Sequence, residues 1–155
     1  MYHDSAARGG NIGTEDKRME KVDHIGIAVK SIDEAMVFYT ETLGFRCTAI
    51  EEVKTQQVRV AFIDANNVKI ELLESLDEKG PISKFIEKRG EGIHHIAIGV
   101  QSIEERISEL KEKGIRMVDD VPKEGAGQSL VAFLHPKSGH GVLYELCEKT
   151  HMEEK

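Results

Sequence analysis

The sequence contains no tryptophan, only three prolines and two cysteines, and no long hydrophobic run. No apolar stretch approaches the roughly 18 residues that a membrane-spanning helix needs, which argues against an integral membrane protein. The cysteines, Cys47 and Cys147, show no Cys-x-x-Cys spacing and are too few for a disulfide framework, as is typical of a reducing compartment. We therefore expect a cytoplasmic protein that has no membrane partner.

Basic residues are also in deficit. The chain has 21 Lys and Arg against 28 Asp and Glu, a net charge of −7, and its basic residues form no run. This pattern argues against a nucleic-acid partner.

Common catalytic and nucleotide-binding motifs are also absent from the sequence. There is no Gly-x-Ser-x-Gly and no P-loop, and Gly125-Ala126-Gly127 lacks the third glycine of a dinucleotide fingerprint.

The length of 155 residues fits one domain. Residues 1–18 show no apolar periodicity and no signal-peptide core. We expect them to be a flexible leader, either an extended native start or a segment foreign to the protein, because a second methionine, Met19, follows directly. Residues 19–155 are predicted to form a single domain.

An internal repeat organises this domain. Residues 23–29 are similar to residues 94–100, so that His24 corresponds to His95, 71 residues later. At the same offset, Ser31-Ile32-Asp33-Glu34 is similar to Ser102-Ile103-Glu104-Glu105. Residues 60–63 likewise match residues 131–134, and Glu71 corresponds to Glu145 with an offset that has grown by three residues. Four matches in the same order indicate a duplication.

Each half is predicted to contain a strand, a helix and three further strands. The spacing of a helix capping box is found twice, in Ser31 with Glu34 and in Ser102 with Glu105. The two predicted helices are expected to end at Gly44 and Gly114. The expected later strands are 45–52, 57–64 and 69–73 in the first half, and 116–118, 128–134 and 141–147 in the second. The fold class is therefore α+β, with two tandem βαβββ modules, about 21–75 and 92–148, joined by a short helix over 81–90.

Two histidines and two glutamates stand at equivalent places in the two modules. His24 and His95 lie on the first strands, and Glu71 and Glu145 interrupt the apolar last strands. A buried charge needs a partner or a metal. The four residues can converge on one divalent ion if the modules face each other. His94 is the neighbouring alternative to His95, but strand alternation sends it to the opposite face, and only His95 shares the register of His24.

These residues carry a resemblance to a known family. The histidine and glutamate placement resembles the vicinal oxygen chelate superfamily, which has the glyoxalase fold. The runs 22–29, 70–74, 81–85, 92–97, 133–138 and 141–146 are similar to the methylmalonyl-CoA epimerase family. The resemblance spans about residues 21–148. It implies a curved mixed sheet around a metal site, a coenzyme A thioester substrate, and a homodimer.

The resemblance also implies roles for individual residues. It assigns one divalent metal ion per chain to His24, Glu71, His95 and Glu145. Co, Mn, Mg, Zn and Ni are all compatible with such ligands, and the resemblance favours Co. Glu145 is expected to be both ligand and catalytic base. Lys137 is the expected contact to the coenzyme A thioester, and Lys88 or Arg89 are further candidates for the local basic region that this anionic substrate needs.

A second proton carrier is less well defined by the sequence. Some family members have a glutamate on the third strand of the first module, a position that falls near Arg59 here. Glu51 and Glu52 on the preceding strand are the substitutes.

The implied reaction interconverts (2R)- and (2S)-methylmalonyl-CoA by proton transfer at carbon 2 through an enolate that the metal stabilises. Three alternatives remain at this point: a glyoxalase I-type lactoylglutathione lyase, an extradiol dioxygenase, and a metal-free small-molecule binding protein. The dioxygenase normally has a longer chain, and the binding protein normally lacks the ligands that this sequence retains.

Overall fold

The computed structural model describes residues 20–150, so the expected leader over residues 1–18 lies outside the described part. The chain forms one eight-stranded mixed sheet with the strand order β2-β3-β4-β1-β5-β8-β7-β6. The first module supplies β1 (Lys21–Ala28), β2 (Arg46–Val53), β3 (Val58–Asp64) and β4 (Lys69–Ser75), and the second supplies β5 (Gly92–Gly99), β6 (Lys123–Gly125), β7 (Ser129–Phe133) and β8 (Tyr144–Lys149). The predicted α+β fold of two βαβββ modules is confirmed.

Three α-helices connect the strands within residues 20–150: α1 (Ile32–Met36), α2 (Pro81–Arg89) and α3 (Ile103–Glu112). The side chains of Ser31 and Ser102 accept the N–H groups of Glu34 and Glu105, as the capping boxes predict. None of the helices between residues 20 and 150 has both the length and the apolar character that crossing a bilayer requires.

The first helix is shorter than its sequence pattern suggests. After Met36 it widens into π-helical turns over Val37–Thr42, in which the N–H of Leu43 reaches the carbonyl of Phe38. The wider turn alters the helical spacing, and Leu43, the residue before the predicted stop at Gly44, is 46% exposed.

The duplication extends to details of helix capping. Glu74, on β4, accepts the N–H of Ile32 at the start of α1, and Glu148, on β8, accepts the N–H of Ile103 at the start of α3, each at 2.9 Å. In both modules, therefore, a carboxylate from the last strand caps the helix and ties it to the sheet.

The two faces of the sheet carry different kinds of residue. One face packs against α1 and α3 through two apolar clusters, one centred on Ile32 and Leu72 and the other on Ile103 and Leu146. The opposite face carries the four predicted ligand residues, all of which are buried. Helices α1 and α3 thus stabilise one face, and the opposite face holds the site together with α2, whose Ile82 packs against Leu73.

The second edge strand differs from the prediction. Residues 116–118 form no strand, and only Met117 makes an isolated bridge, to Leu134. The backbone then departs from the sheet because the carboxylate of Asp119, rather than a strand carbonyl, accepts the N–H of Phe133, and Pro122 has no N–H to donate. Pairing with β7 resumes at Lys123 in β6.

Strand β6 and the turn that follows it reach across to the first module. The Gln56 side chain donates to the carbonyl of Glu124 at 3.0 Å, and the N–H of Gly127 donates to the carboxylate of Glu51 at 3.3 Å. The two outer ends of the curled sheet are therefore joined by hydrogen bonds over the cavity that the sheet encloses.

Candidate metal centre

The centre lies on the seam between the two modules. Strand β1 runs antiparallel to β5, and Gly26 stands opposite His95. The absence of a side chain at residue 26 makes room for the imidazole, because a Cβ atom built there would lie only 2.2 Å from Cε1 of His95. Strands β4 and β8 flank the seam and contribute Glu71 and Glu145 from either side.

Three of the four predicted ligands meet at one point. Nε2 of His24 lies 3.2 Å from Nε2 of His95 and 3.1 Å from Oε1 of Glu145. Oε1 of Glu145 is 3.4 Å from Nε2 of His95. All three side chains are buried.

This convergence fits a metal ion better than a hydrogen-bond network. A cation about 2.0 to 2.1 Å from each atom would hold neighbouring ligand atoms roughly 2.9 to 3.4 Å apart, from octahedral to tetrahedral angles. The observed separations match this range. Oε1 of Glu145 is also buried, and its contacts with the two imidazoles do not have hydrogen-bond geometry, so a cation between the three side chains would satisfy this oxygen.

Glu71 occupies a different place from the other three. Its Oε2 lies 3.3 Å from Nδ1 of His24, the ring nitrogen that faces away from His95 and Glu145. In this conformation Glu71 contacts the back of a ligand histidine. Its carboxylate would reach the meeting point of the other three only after a rotation of its side chain.

A β-bulge places a residue that the sequence analysis missed. The register of β1 against β5 skips Asp23, so alternation fails there and Asp23 stays beside His24. Oδ2 of Asp23 lies 2.8 Å from Nδ1 of His24. A carboxylate that accepts the Nδ1–H of a histidine leaves Nε2 free to bind a metal. No sequence signal marked this bulge.

A second bulge corrects the prediction for His94. The register skips His94 on β5, between the pairs Gly26 with His95 and Ile27 with Ile93. The ring of His94 therefore does not turn away from His95. Its Nδ1 lies 3.0 Å from Nδ1 of His95, and its ring packs edge-on against Phe85 of α2. The selection of His95 agrees with the geometry, but the alternation argument for it was wrong.

The charges around the site favour a bound cation. Burial lowers the pKa of His24, but the hydrogen bond with Asp23 and the nearby Glu145 and Glu71 outweigh it and raise the pKa to about 9. Burial raises the pKa of Glu145, but its contacts with His24 and His95 lower the pKa to about 2. The carboxyl groups of Asp23, Glu71 and Glu145 thus surround two imidazoles. Burial raises the pKa of Glu71, and a divalent ion would favour the ionised form of all three carboxyl groups.

Asp23, His24 and Cys147 form a second group of metal-binding side chains. Burial, with the charges of Asp23 and Glu145, raises the pKa of the Cys147 thiol to about 12. A thiol that keeps its proton is a poor ligand, so the arrangement of His24, His95 and Glu145 is the better metal site.

A cavity of about 480 Å³ opens from the metal centre. Its walls are largely apolar, and its titratable side chains, among the described residues, are the two glutamates, three histidines and Lys123. The other sequence candidates lie elsewhere. Glu51 is bound to the Gly127 N–H, Glu52 is exposed and pairs across the strands with Arg59, and Lys137 is exposed in a turn outside the cavity lining.

Comparison with known proteins finds a matching family model and relatives that are similar to this chain over most of its length. Residues 23–133 match the family model described as "Glyoxalase/Bleomycin resistance protein/Dioxygenase superfamily". An ethylmalonyl-CoA/methylmalonyl-CoA epimerase of Cereibacter sphaeroides is 41% identical over 81% of this chain and 96% of its own length.

Solved structures of related proteins have the same fold as this chain. A hypothetical protein of Bacillus halodurans C-125 has a TM-score of 0.86 at 54% identity, covering 89% of this chain and all of that one. A substituted methylmalonyl-CoA epimerase of Streptomyces coelicolor, in complex with 2-nitronate-propionyl-CoA, has a TM-score of 0.80 at 36% identity, with 87% of this chain and 98% of that one covered.

Proposed function

The chain belongs to the methylmalonyl-CoA epimerase family within the glyoxalase superfamily, and on this basis we propose that it interconverts (2R)- and (2S)-methylmalonyl-CoA with a divalent metal ion. The observation that carries the proposal is the meeting of His24, His95 and Glu145 at the floor of an apolar cavity. Epimerisation removes the proton at carbon 2, next to a thioester carbonyl and a carboxylate, and returns a proton to the opposite face, which takes either a second proton-carrying group or rotation of the substrate over a single group.

The residues present fit a metal ion, and His24, His95 and Glu145 would hold it, with Glu71 as a fourth ligand after its side chain rotates. When bound, the metal supplies positive charge for two neighbouring substrate oxygens and so favours the enolate. Among the ions compatible with nitrogen and oxygen ligands, we propose Co as the preferred one.

Glu145 is the proposed proton acceptor. The low pKa of its carboxylate keeps it ionised at neutral pH, so it can accept a proton, but it also makes Glu145 a weak base that depends on stabilisation of the enolate. Only one of its oxygens, Oε1, points at the two Nε2 atoms. The other oxygen is therefore available to the substrate.

Apolar side chains around the centre exclude water and hold the substrate in place. Val58, Val60 and Leu73 line the cavity from the first module, and Val131 and Phe133 line it from the second. A low-dielectric wall strengthens the attraction between the site's charges and the substrate.

The test is exchange of the carbon 2 proton of methylmalonyl-CoA with solvent deuterium, followed by NMR on the metal-loaded protein. We expect exchange and epimerisation in the wild type. The Glu145→Gln variant should lose both while it retains part of its metal, since an amide can still coordinate through oxygen but cannot take up a proton. Undiminished exchange in this variant would remove Glu145 from the role of base.

The same preparation also tests the glyoxalase alternative. If deuterium does not enter methylmalonyl-CoA, while a mixture of methylglyoxal and glutathione is converted to the lactoyl thioester, the epimerase proposal is wrong.

A further inference from the structure

The Asp23 carboxylate stands between the metal centre and two lysines. On the side of the metal centre, its Oδ2 lies 2.8 Å from Nδ1 of His24. On the other side, Nζ of Lys149 lies 3.6 Å from the same oxygen, and the Cys147 thiol lies 4.0 Å from it. One carboxylate oxygen thus faces a ligand histidine, an ammonium group and a thiol.

A second lysine adds its charge at the same place. Lys69 begins β4, where it pairs in register with His24 on β1. Burial raises the pKa of Asp23, but the hydrogen bond with His24 and the charges of Lys149 and Lys69 lower it to about 2. Burial lowers the pKa of Lys149, but the charge of Asp23 outweighs burial and raises it. Asp23 and Lys149 therefore form an ionic contact at neutral pH.

The sequence places these two cations at one end of the repeat only. At the larger offset that relates the last strands of the two modules, 74 residues, Lys149 corresponds to Ser75. Lys69 corresponds in the same way to Leu143. The residue that contacts the ligand histidine in the second module is His94, an imidazole rather than a carboxylate. Positive charge is thus found where the supporting residue is an anion, and neutral residues are found where it is not.

A carboxylate that supports a ligand histidine needs support of its own. The side chain of Asp23 is 20% exposed, so water can compete for its oxygens. The Lys149 side chain is 40% exposed and comes from β8, on the other module, so that it reaches Asp23 across the seam. A cation fixed on the far side of the carboxylate restricts the rotation of Asp23 and with it the orientation of the His24 ring.

We propose that Lys149, with Lys69 beside it, is a positioning residue of the metal centre. It holds the Asp23 carboxylate against Nδ1 of His24, and so keeps Nε2 of this ring directed at the metal. Acting through space alone, a lysine charge would repel a cation, so the two possible effects of Lys149 on metal affinity have opposite signs. This inference rests on the proposed metal-dependent function and adds a residue on which its centre depends.

The test measures metal affinity by equilibrium dialysis with elemental analysis. Lys149→Met keeps the apolar stem but loses the charge, and we expect it to bind metal about 3- to 10-fold more weakly, less than after loss of a direct partner of the histidine. Lys149→Arg keeps the charge and should bind within about twofold of the wild type. Lys111→Met is the matched control, because Lys111 on α3 forms an ion pair of the same kind with Asp120, at 3.0 Å. Equal or tighter metal binding in Lys149→Met overturns the proposal.

A double-mutant cycle separates positioning from a general effect on the structure. In the Asp23→Ala background Lys149 has no carboxylate to hold, so the addition of Lys149→Met should cause no further loss of metal affinity. An equal loss in both backgrounds overturns the proposal, since Lys149 then acts without Asp23. A wild type that binds no metal overturns the metal-dependent function together with this positioning role. Metal loss in His95→Ala beside unchanged affinity in Lys149→Met overturns the positioning role alone.

Discussion

Asp23 and His94 occupy the same position in the two modules. Each is the residue that the β1–β5 register skips, each directly precedes a metal-site histidine, and each contacts Nδ1 of that histidine, at 2.8 and 3.0 Å. The first module thus supports its histidine with a carboxylate and the second with an imidazole. This difference makes the two ligands chemically unequal although the backbone around them is duplicated.

The contact of Asp23 predicts a loss of metal affinity in Asp23→Ala. Without its acceptor at Nδ1, His24 loses its fixed orientation, and we expect metal binding to weaken about 10- to 100-fold without being abolished. Equilibrium dialysis with elemental analysis measures the affinity. Asp33→Ala, an exposed acid at the start of α1, is the control and should bind metal like the wild type.

The contact of His94 separates support from ligation. We expect His94→Ala to weaken metal binding about tenfold, since His95 loses the partner of its Nδ1. His95→Ala removes a ligand and should lose the metal in the same dialysis experiment. Stoichiometric metal in His95→Ala would show that the centre is not the one described.

The space over His95 depends on Gly26. A methyl group in Gly26→Ala would lie 2.2 Å from the imidazole, so His95 must move, and we expect loss of tight metal binding. Gly99→Ala is the matched control on β5, because its Cβ would have no neighbour closer than 3.7 Å. If Gly26→Ala keeps wild-type metal affinity, His95 does not need its present position.

Stability and metal binding should respond to different faces of the sheet. Leu72 is fully buried against α1, and Leu72→Ala should lower the free energy of unfolding by about 2 to 5 kcal/mol. Leu76→Ala, at a residue that is 41% exposed, should change it by less than about 0.5 kcal/mol. Urea unfolding checks both values. The metal affinity of folded Leu72→Ala should stay within a few-fold of the wild type.

Much of the architecture could be predicted because it is repeated. Two copies of a helix capping box and of an apolar last strand interrupted by glutamate defined the modules and drew attention to His24, His95, Glu71 and Glu145. Each of these signals is a residue type at a fixed spacing, which a sequence displays directly.

The remaining features depend on single-residue shifts of register. The residues around Asp23 and His94 do not indicate that side chains stop alternating between the two faces of the sheet there, because a bulge arises from how two strands pair. The interruption of the second edge strand at Asp119 likewise depends on a tertiary hydrogen bond, and the π-helical turns after Met36 are closed by local hydrogen bonds that the apolar spacing does not reveal. The place of Glu71, behind His24, also depends on the packed side chains.

The position of the two histidines on either side of the β1–β5 seam has a consequence for cooperativity. Neither half of the chain contains the complete set of proposed ligands, so a cation bound to them would act as a cross-link between the halves and would stabilise only the assembled sheet. Opening of the seam and release of the ion are then one event. Amide protons of β1 and β5 should therefore exchange with solvent together, and more slowly as the concentration of free metal rises.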